Sequence, residues 1–167
     1  IVRQRTGLLL DSYFSAPKLR FILDNDPALR DAARAGRLKF GTTESWVLWH
    51  LTDGRLHVTD PSTASRTLLF DINRLDWDDE LLALFDVPRA ILPDVRPSAG
   101  YVGELNFGTG QLIPLHALVV DQQAALFGQA CFAPGDVKCS FGTGSFLLMN
   151  LGPTPRLSDH GLLTTVA

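Results

Sequence analysis

The sequence predicts an α/β fold, on three observations. Through its first half, apolar residues recur at the spacings of three and four that mark amphipathic helices. From Gly100 onward, glycines at 100, 103, 108 and 110 alternate with short apolar runs, the pattern of strands joined by tight turns. Leu115-His116-Ala117-Leu118-Val119-Val120 then reads as a strand buried on both faces, followed at once by a helix over Gln122 to Gln129.

Taken in order, Pro17 to Asn25 predicts a short helix with Pro17 at its first position and Leu19, Ile22 and Leu23 on one face. Asp26-Pro27 ends it. A second helix, Ala28 to Ala35, is closed by Gly36, and Leu38-Lys39-Phe40 reads as a short strand. Thr42 or Thr43 caps the next helix, whose expected apolar face is Trp46, Val47, Trp49 and Leu51 before a turn at Asp53-Gly54. The three-residue spacing of the two tryptophans fits core packing better than a ligand platform. Asp78 to Phe85 is a further helix with Leu81, Leu82 and Phe85 inward, and Pro88, Pro93 and Pro97 punctuate the connection after it. Pro134-Gly135 marks a hinge or domain boundary, beyond which Val137 to Phe141 and Phe146 to Asn150 flank Gly142-Thr143-Gly144-Ser145 as a hairpin.

The composition excludes several classes. With 167 residues, 46% hydrophobic and 20% charged, neither a disordered nor a fibrous chain fits. A formal net charge of -3, with Lys and Arg scattered, leaves no basic stripe for nucleic acid. The longest apolar stretch, Leu112 to Val120, is interrupted by Pro114 and His116 and falls short of the roughly 20 residues that cross a bilayer. Cys131 and Cys139 are spaced too widely for a zinc knuckle and read as buried thiols in a reducing cytosol. His50, His57, His116 and His160 are dispersed and read as structural, and Ser140 and Ser145 lack the Gly-x-Ser-x-Gly elbow of a hydrolase. The opening Ile1-Val2-Arg3 lacks both a methionine and a secretory signal, so the sequence is either processed or an excerpt.

Two places invite chemistry. Asp121 follows an apolar strand and precedes a helix, which puts its carboxylate at the sheet edge where ligands bind in open α/β sheets. There it accepts a proton, orients a water, holds a metal or simply caps the helix. Gly142-Thr143-Gly144, at a hairpin tip, lets backbone N–H groups approach phosphate oxygens while a hydroxyl adds a donor, and is otherwise an ordinary turn.

Several stretches together carry a resemblance: Tyr13-Phe14-Ser15 with Lys18, Val58-Thr59-Asp60 with Ala64-Ser65-Arg66-Thr67, Leu75-Asp76-Trp77-Asp78-Asp79, Asp121-Gln122-Gln123-Ala124-Ala125-Leu126-Phe127-Gly128-Gln129, Phe141-Gly142-Thr143-Gly144 and Gly161-Leu162-Leu163-Thr164-Thr165. In this order they resemble the glycerol kinases within the FGGY carbohydrate kinases. The resemblance implies an interior piece of a ribonuclease H-like, actin-like α/β fold, about a third of the family's length. Residues 1–133 would be the later part of the first domain, and 134–167 the start of the second, with its phosphate-contacting hairpin.

By resemblance, Asp121 matches the family's catalytic base, Tyr13 and Gln122 match contacts to glycerol, and Phe146 matches an apolar wall along the polyol. Gly142, Thr143 and Gly144 match the loop that meets the ATP phosphates, which Mg2+ would bridge. No residue is assigned to a metal. Glycerol and ATP are the implied substrates, and the implied protein is cytoplasmic and homo-oligomeric at full length, while the isolated chain is expected to be inactive. Departures are Phe21 where the family signature has tryptophan, Phe141 where tyrosine is usual, and Leu112 where related enzymes can carry an arginine for a sugar-phosphate effector. Both phenylalanines are expected to keep the packing, and the effector is not expected to act here.

Overall fold

A computed structural model describes residues 1–167. The chain opens with α1 (Val2–Thr6), ended by Gly7 in the left-handed region at φ 70°. Next come α2 (Ser15–Asn25) and α3 (Pro27–Arg34), joined at Asp26, whose carboxylate accepts from the N–H groups of Ala28 (3.0 Å) and Leu29 (3.1 Å). The first of these begins two residues before the expected start, with Pro17 third in the helix, still within the turn whose N–H groups have no intrahelical partner. Then follow α4 (Thr43–Leu51), β1 (Val58–Thr59), the single turn α5 (Pro61–Ala64), β2 (Phe70–Asp71), β3 (Asp76–Trp77) and α6 (Asp79–Phe85). Asp78 caps α6 by accepting from the Leu81 N–H at 2.9 Å. A 3-10 turn at Arg89–Ile91 leads into β4 (Asp94–Val95), β5 (Ala99–Asn106) and β6 (Leu112–Ala117), and α7 (Asp121–Gly128) precedes the hairpin of β7 (Val137–Phe141) and β8 (Ser145–Met149).

The strands pair as four two-stranded ladders: β1 with β4 in parallel, and β2–β3, β5–β6 and β7–β8 antiparallel. The main core gathers Leu8, Leu68, Leu69, Phe70, Trp77 and Ile91 with the inner faces of α2, α3 and α6. Trp77 meets Phe70 edge-on at 5.7 Å and donates its indole N–H to the Pro93 carbonyl at 2.9 Å, so a large aromatic is buried with its one polar atom satisfied. A smaller cluster of Leu48, Val58, Leu105 and Leu118 ties α4 and β5 to the segment entering α7. The C-terminal tail returns to the start of the chain, where the Thr164 N–H donates to the Gly7 carbonyl at 2.9 Å.

What positions the site is a carboxylate with no cation. Asp60, wholly buried at the end of β1, accepts from the N–H groups of Ser62 (3.0 Å) and Thr63 (3.1 Å) and from the hydroxyls of Ser62 (2.5 Å), Thr63 (2.7 Å) and Ser98 (2.7 Å). Five donors replace the hydration it loses on burial. The Ser62 hydroxyl in turn accepts from the Val120 N–H at 2.9 Å, which pins the residue immediately before α7.

Several expectations are corrected. Leu38-Lys39-Phe40 is not a strand: the Phe40 N–H bonds the Ile91 carbonyl at 2.7 Å, but no ladder extends from it. Helix α4 buries Ser45 and Leu48 and leaves Trp46 62% exposed, because the Ser45 hydroxyl donates to the Val58 carbonyl (2.8 Å) and turns that side of the helix toward β1. The strand expected over Leu115–Val120 ends at Ala117 and is largely exposed, since β5 is its one strand partner and Leu115 is its one residue packed against the smaller cluster. Cys131 is half-buried and Cys139 exposed, not core thiols. Phe21 and Phe141 stand 69% and 84% exposed, so neither keeps a packed position in this chain.

Candidate active site

Val120, in extended conformation, is the N-cap of α7, and Asp121 is the first helical residue. Its Oδ1 accepts from the Gln122 N–H at 2.8 Å, and no ion pair engages it. The carboxylate is exposed at the N-terminal end of the helix. The cap position belongs to Val120, held by Ser62, while Asp121 satisfies one N–H of the first turn through one carboxylate oxygen.

Gln122 is half-buried, and its Oε1 accepts from the Lys138 ammonium on β7, so the helix start is tied to the hairpin. Sequence reasoning missed Lys138. It is 2% exposed, although its place in an alternating strand beside exposed Val137 and Cys139 marked it only as one face or the other. Gln123, also buried, donates to the Thr165 hydroxyl (3.2 Å) and the Val166 carbonyl (3.0 Å), which brings the C-terminal tail against the same helix.

The β7–β8 register pairs Phe141 with Ser145, and Gly142-Thr143-Gly144 forms the tip as expected. The Gly142 N–H donates to the Gly144 carbonyl at 3.0 Å, leaving the N–H groups of Thr143 and Gly144 without an acceptor in the chain. A Cβ on Gly144 would lie 3.1 Å from the Phe146 ring, so the ring folds back over the tip and glycine keeps the approach open. Phe146 is 46% exposed and Tyr13 70%, so neither is a core aromatic. The tip stands roughly 13 Å along the strand beyond Lys138, four residues at the usual rise, and no hydrogen bond joins it to Asp121.

Tyr13 lies on the turn before α2, edge-on to Phe14 at 5.4 Å, with the Lys18 ammonium 5.6 Å from its ring centre. Arg66 stacks over Phe14 at 5.2 Å; burial pushes its guanidinium below the ordinary arginine value, and the Tyr13 hydroxyl opposes that shift. Arg66 follows α5, the same short turn that anchors Val120 through Ser62. One short segment thus supports both the Tyr13 end and the Asp121 end of the candidate site. No group of three or more His, Cys, Asp or Glu side chains is placed to hold a metal ion.

A family model described as the FGGY family of carbohydrate kinases, N-terminal domain, matches residues 1–128. The chain belongs to this family. A glycerol kinase from Halorhodospira halophila is 54% identical over 173 residues, covering 99% of this chain and 33% of that protein. Glycerol kinase 2 of Thermotoga maritima is 53% identical over 169 residues, covering 99% of this chain and 34% of that protein. The FGGY chain therefore spans about a third of the length of the relatives it matches. Among solved structures, the Plasmodium falciparum glycerol kinase crystallised with ADP superposes with a TM-score of 0.94 at 35% identity, over 99% of this chain and 33% of that one. A xylulose kinase from Rhodospirillum rubrum superposes at 0.74 and 21% identity, over 92% of this chain and 33% of that one, a likeness of fold. The architecture is accordingly a partial α/β fold of the FGGY kinases. No helix is long and apolar enough to cross a membrane.

Proposed function

We propose that the full-length protein containing this chain is an ATP-dependent glycerol kinase, transferring the γ-phosphoryl group of ATP to a primary hydroxyl of glycerol to give sn-glycerol 3-phosphate. The observation that carries the reading is the unpaired Asp121 carboxylate at the start of α7, fixed from one side by Ser62 through Val120 and from the other by Lys138 through Gln122. In that place Asp121 acts as the base: it accepts the proton of the attacking hydroxyl as the oxygen bonds phosphorus and the bond to ADP breaks. Gln122 and Tyr13 contact the polyol, and Phe146 lies along its carbon chain. Thr143, with Gly142 and Gly144, meets the ATP phosphates, supported by two tip N–H groups with no acceptor of their own.

Phosphoryl transfer depends on positioning and on neutralising the charge of the phosphate oxygens. Mg2+ bound with the nucleotide phosphates would supply that neutralisation. The domain division belongs to the same proposal: Gly135, at φ 97°, turns the chain between α7 and the hairpin, and residues 134–167 begin the second domain. The proposal includes a cytoplasmic, homo-oligomeric enzyme, and an isolated chain without turnover of its own, because missing oriented groups cost orders of magnitude in rate.

Identity above 50% to glycerol kinases favours glycerol over other polyols. A substrate panel at equal concentration, with ADP release as the readout, tests it in the full-length protein. Glycerol is expected to give the highest kcat/KM; a preference for a pentose or hexose contradicts the reading.

A further inference from the structure

Lys138 touches no reacting atom in the mechanism above and enters it only by holding Gln122, yet it is among the most deeply buried side chains of the molecule, 2% exposed. Lysine is almost never fully buried unless its charge is paired. Here no carboxylate lies within ion-pair distance of it. Its ammonium instead donates to two neutral acceptors, Gln122 Oε1 and, at 2.9 Å, the Ser140 hydroxyl. An apolar side chain of similar length would occupy the site without the cost of desolvating a charge.

The consequence falls on Gln122. A lysine ammonium is a donor only, so the end of the Gln122 amide that faces it must be the carbonyl oxygen, and the NH2 group is turned away. A free glutamine offers oxygen or nitrogen with equal ease; this one offers only a donor. Its neighbour Asp121 is an acceptor. The two adjacent residues at the start of α7 therefore present one acceptor and one donor, the complement of a hydroxyl that gives its proton to one group and accepts a hydrogen bond from another.

We propose that Lys138 is a positioning residue that locks the Gln122 amide with its NH2 group toward the polyol, so that Gln122 donates to a substrate hydroxyl oxygen while Asp121 accepts a hydroxyl proton. The proposal rests on the glycerol kinase reading. With the amide reversed, its oxygen would compete with Asp121 for the same proton and leave the substrate oxygen without a donor.

The test uses the full-length enzyme, with KM for glycerol, KM for ATP and kcat measured separately. Lys138→Met removes the donor and is expected to raise KM for glycerol about tenfold, with KM for ATP unchanged. Gln122→Ala combined with Lys138→Met is expected to lose no more than Gln122→Ala alone, since Lys138 acts through Gln122. Gln122→Glu keeps an oxygen for Lys138 but has no NH2 group. It is expected to match or exceed the wild-type melting temperature while raising KM for glycerol about tenfold, and it stands as the test if Lys138→Met does not fold. Unchanged KM for glycerol in Gln122→Glu, or additive losses in the double variant, overturns the proposal while the kinase reading stands. A wild-type enzyme that does not phosphorylate glycerol overturns both.

Discussion

His57 shows how a single side chain links burial to pH. Burial pushes its imidazole below the ordinary histidine value, aided by the Lys39 charge and opposed by its hydrogen bond to the Phe40 carbonyl and by Asp94. Its Nε2 lies 2.6 Å from that carbonyl, so the neutral ring carries its proton there. In the unfolded chain the same ring takes up a second proton near pH 6.5. The fold therefore has the full benefit of the neutral ring above that pH and loses stability as pH falls from there toward the lower folded value. We expect the urea midpoint of the full-length enzyme to drop between about pH 7.5 and pH 5.5, and to drop less in His57→Gln, which keeps a donor for Phe40 without titrating. An equal drop in both proteins contradicts the assignment. Residue roles of this kind were illegible beforehand: His57 read only as structural, and the five-donor shell of Asp60 joins residues as far apart as Thr63 and Ser98.

Helices with a marked apolar stripe or clear punctuation were legible at the level of elements. Asp26, Gly36 and Asp78 end or begin helices where their side chains or backbone freedom demand it, and Leu81, Leu82 and Phe85 face inward as their spacing requires. Helix α4 was not legible in the same way. Its run of Trp46, Val47, Leu48, Trp49 and Leu51 is apolar nearly all round, so periodicity selects no face, and the choice falls to the Ser45 contact with β1. The strand β6 failed for a related reason: an apolar run reports the capacity to be buried, while the covering layer is a matter of the other elements. Gly7 is an element-scale test of the closure between α1 and the C-terminal tail. Its φ is 70°, and a Cβ there would lie 2.4 Å from the Thr164 carbonyl oxygen. Gly7→Ala must both adopt a left-handed conformation and push the tail away, a cost of about 2 kcal/mol or more. Chemical denaturation should show that loss; a variant as stable as wild type would mean the tail does not clasp α1.

For the molecule as a whole, the candidate site is distributed over three separated stretches: the Tyr13 turn, the start of α7 and the β7–β8 tip. Local sequence marked Asp121 and Gly142-Thr143-Gly144, because a carboxylate at a strand-to-helix junction and a glycine-framed hydroxyl have recognisable physical uses. Their mutual support was not visible, since it runs through Ser62, Lys138 and the C-terminal tail, whose contacts with α7 are tertiary. The central claim is that Asp121 takes the proton from the attacking hydroxyl. Asp121→Asn in the full-length enzyme keeps the size of the side chain and its acceptor for the Gln122 N–H, but cannot act as the base. ATP-dependent phosphorylation of glycerol is predicted to fall by about a thousandfold in kcat, with an unchanged melting temperature. Turnover near the wild-type rate would contradict the account.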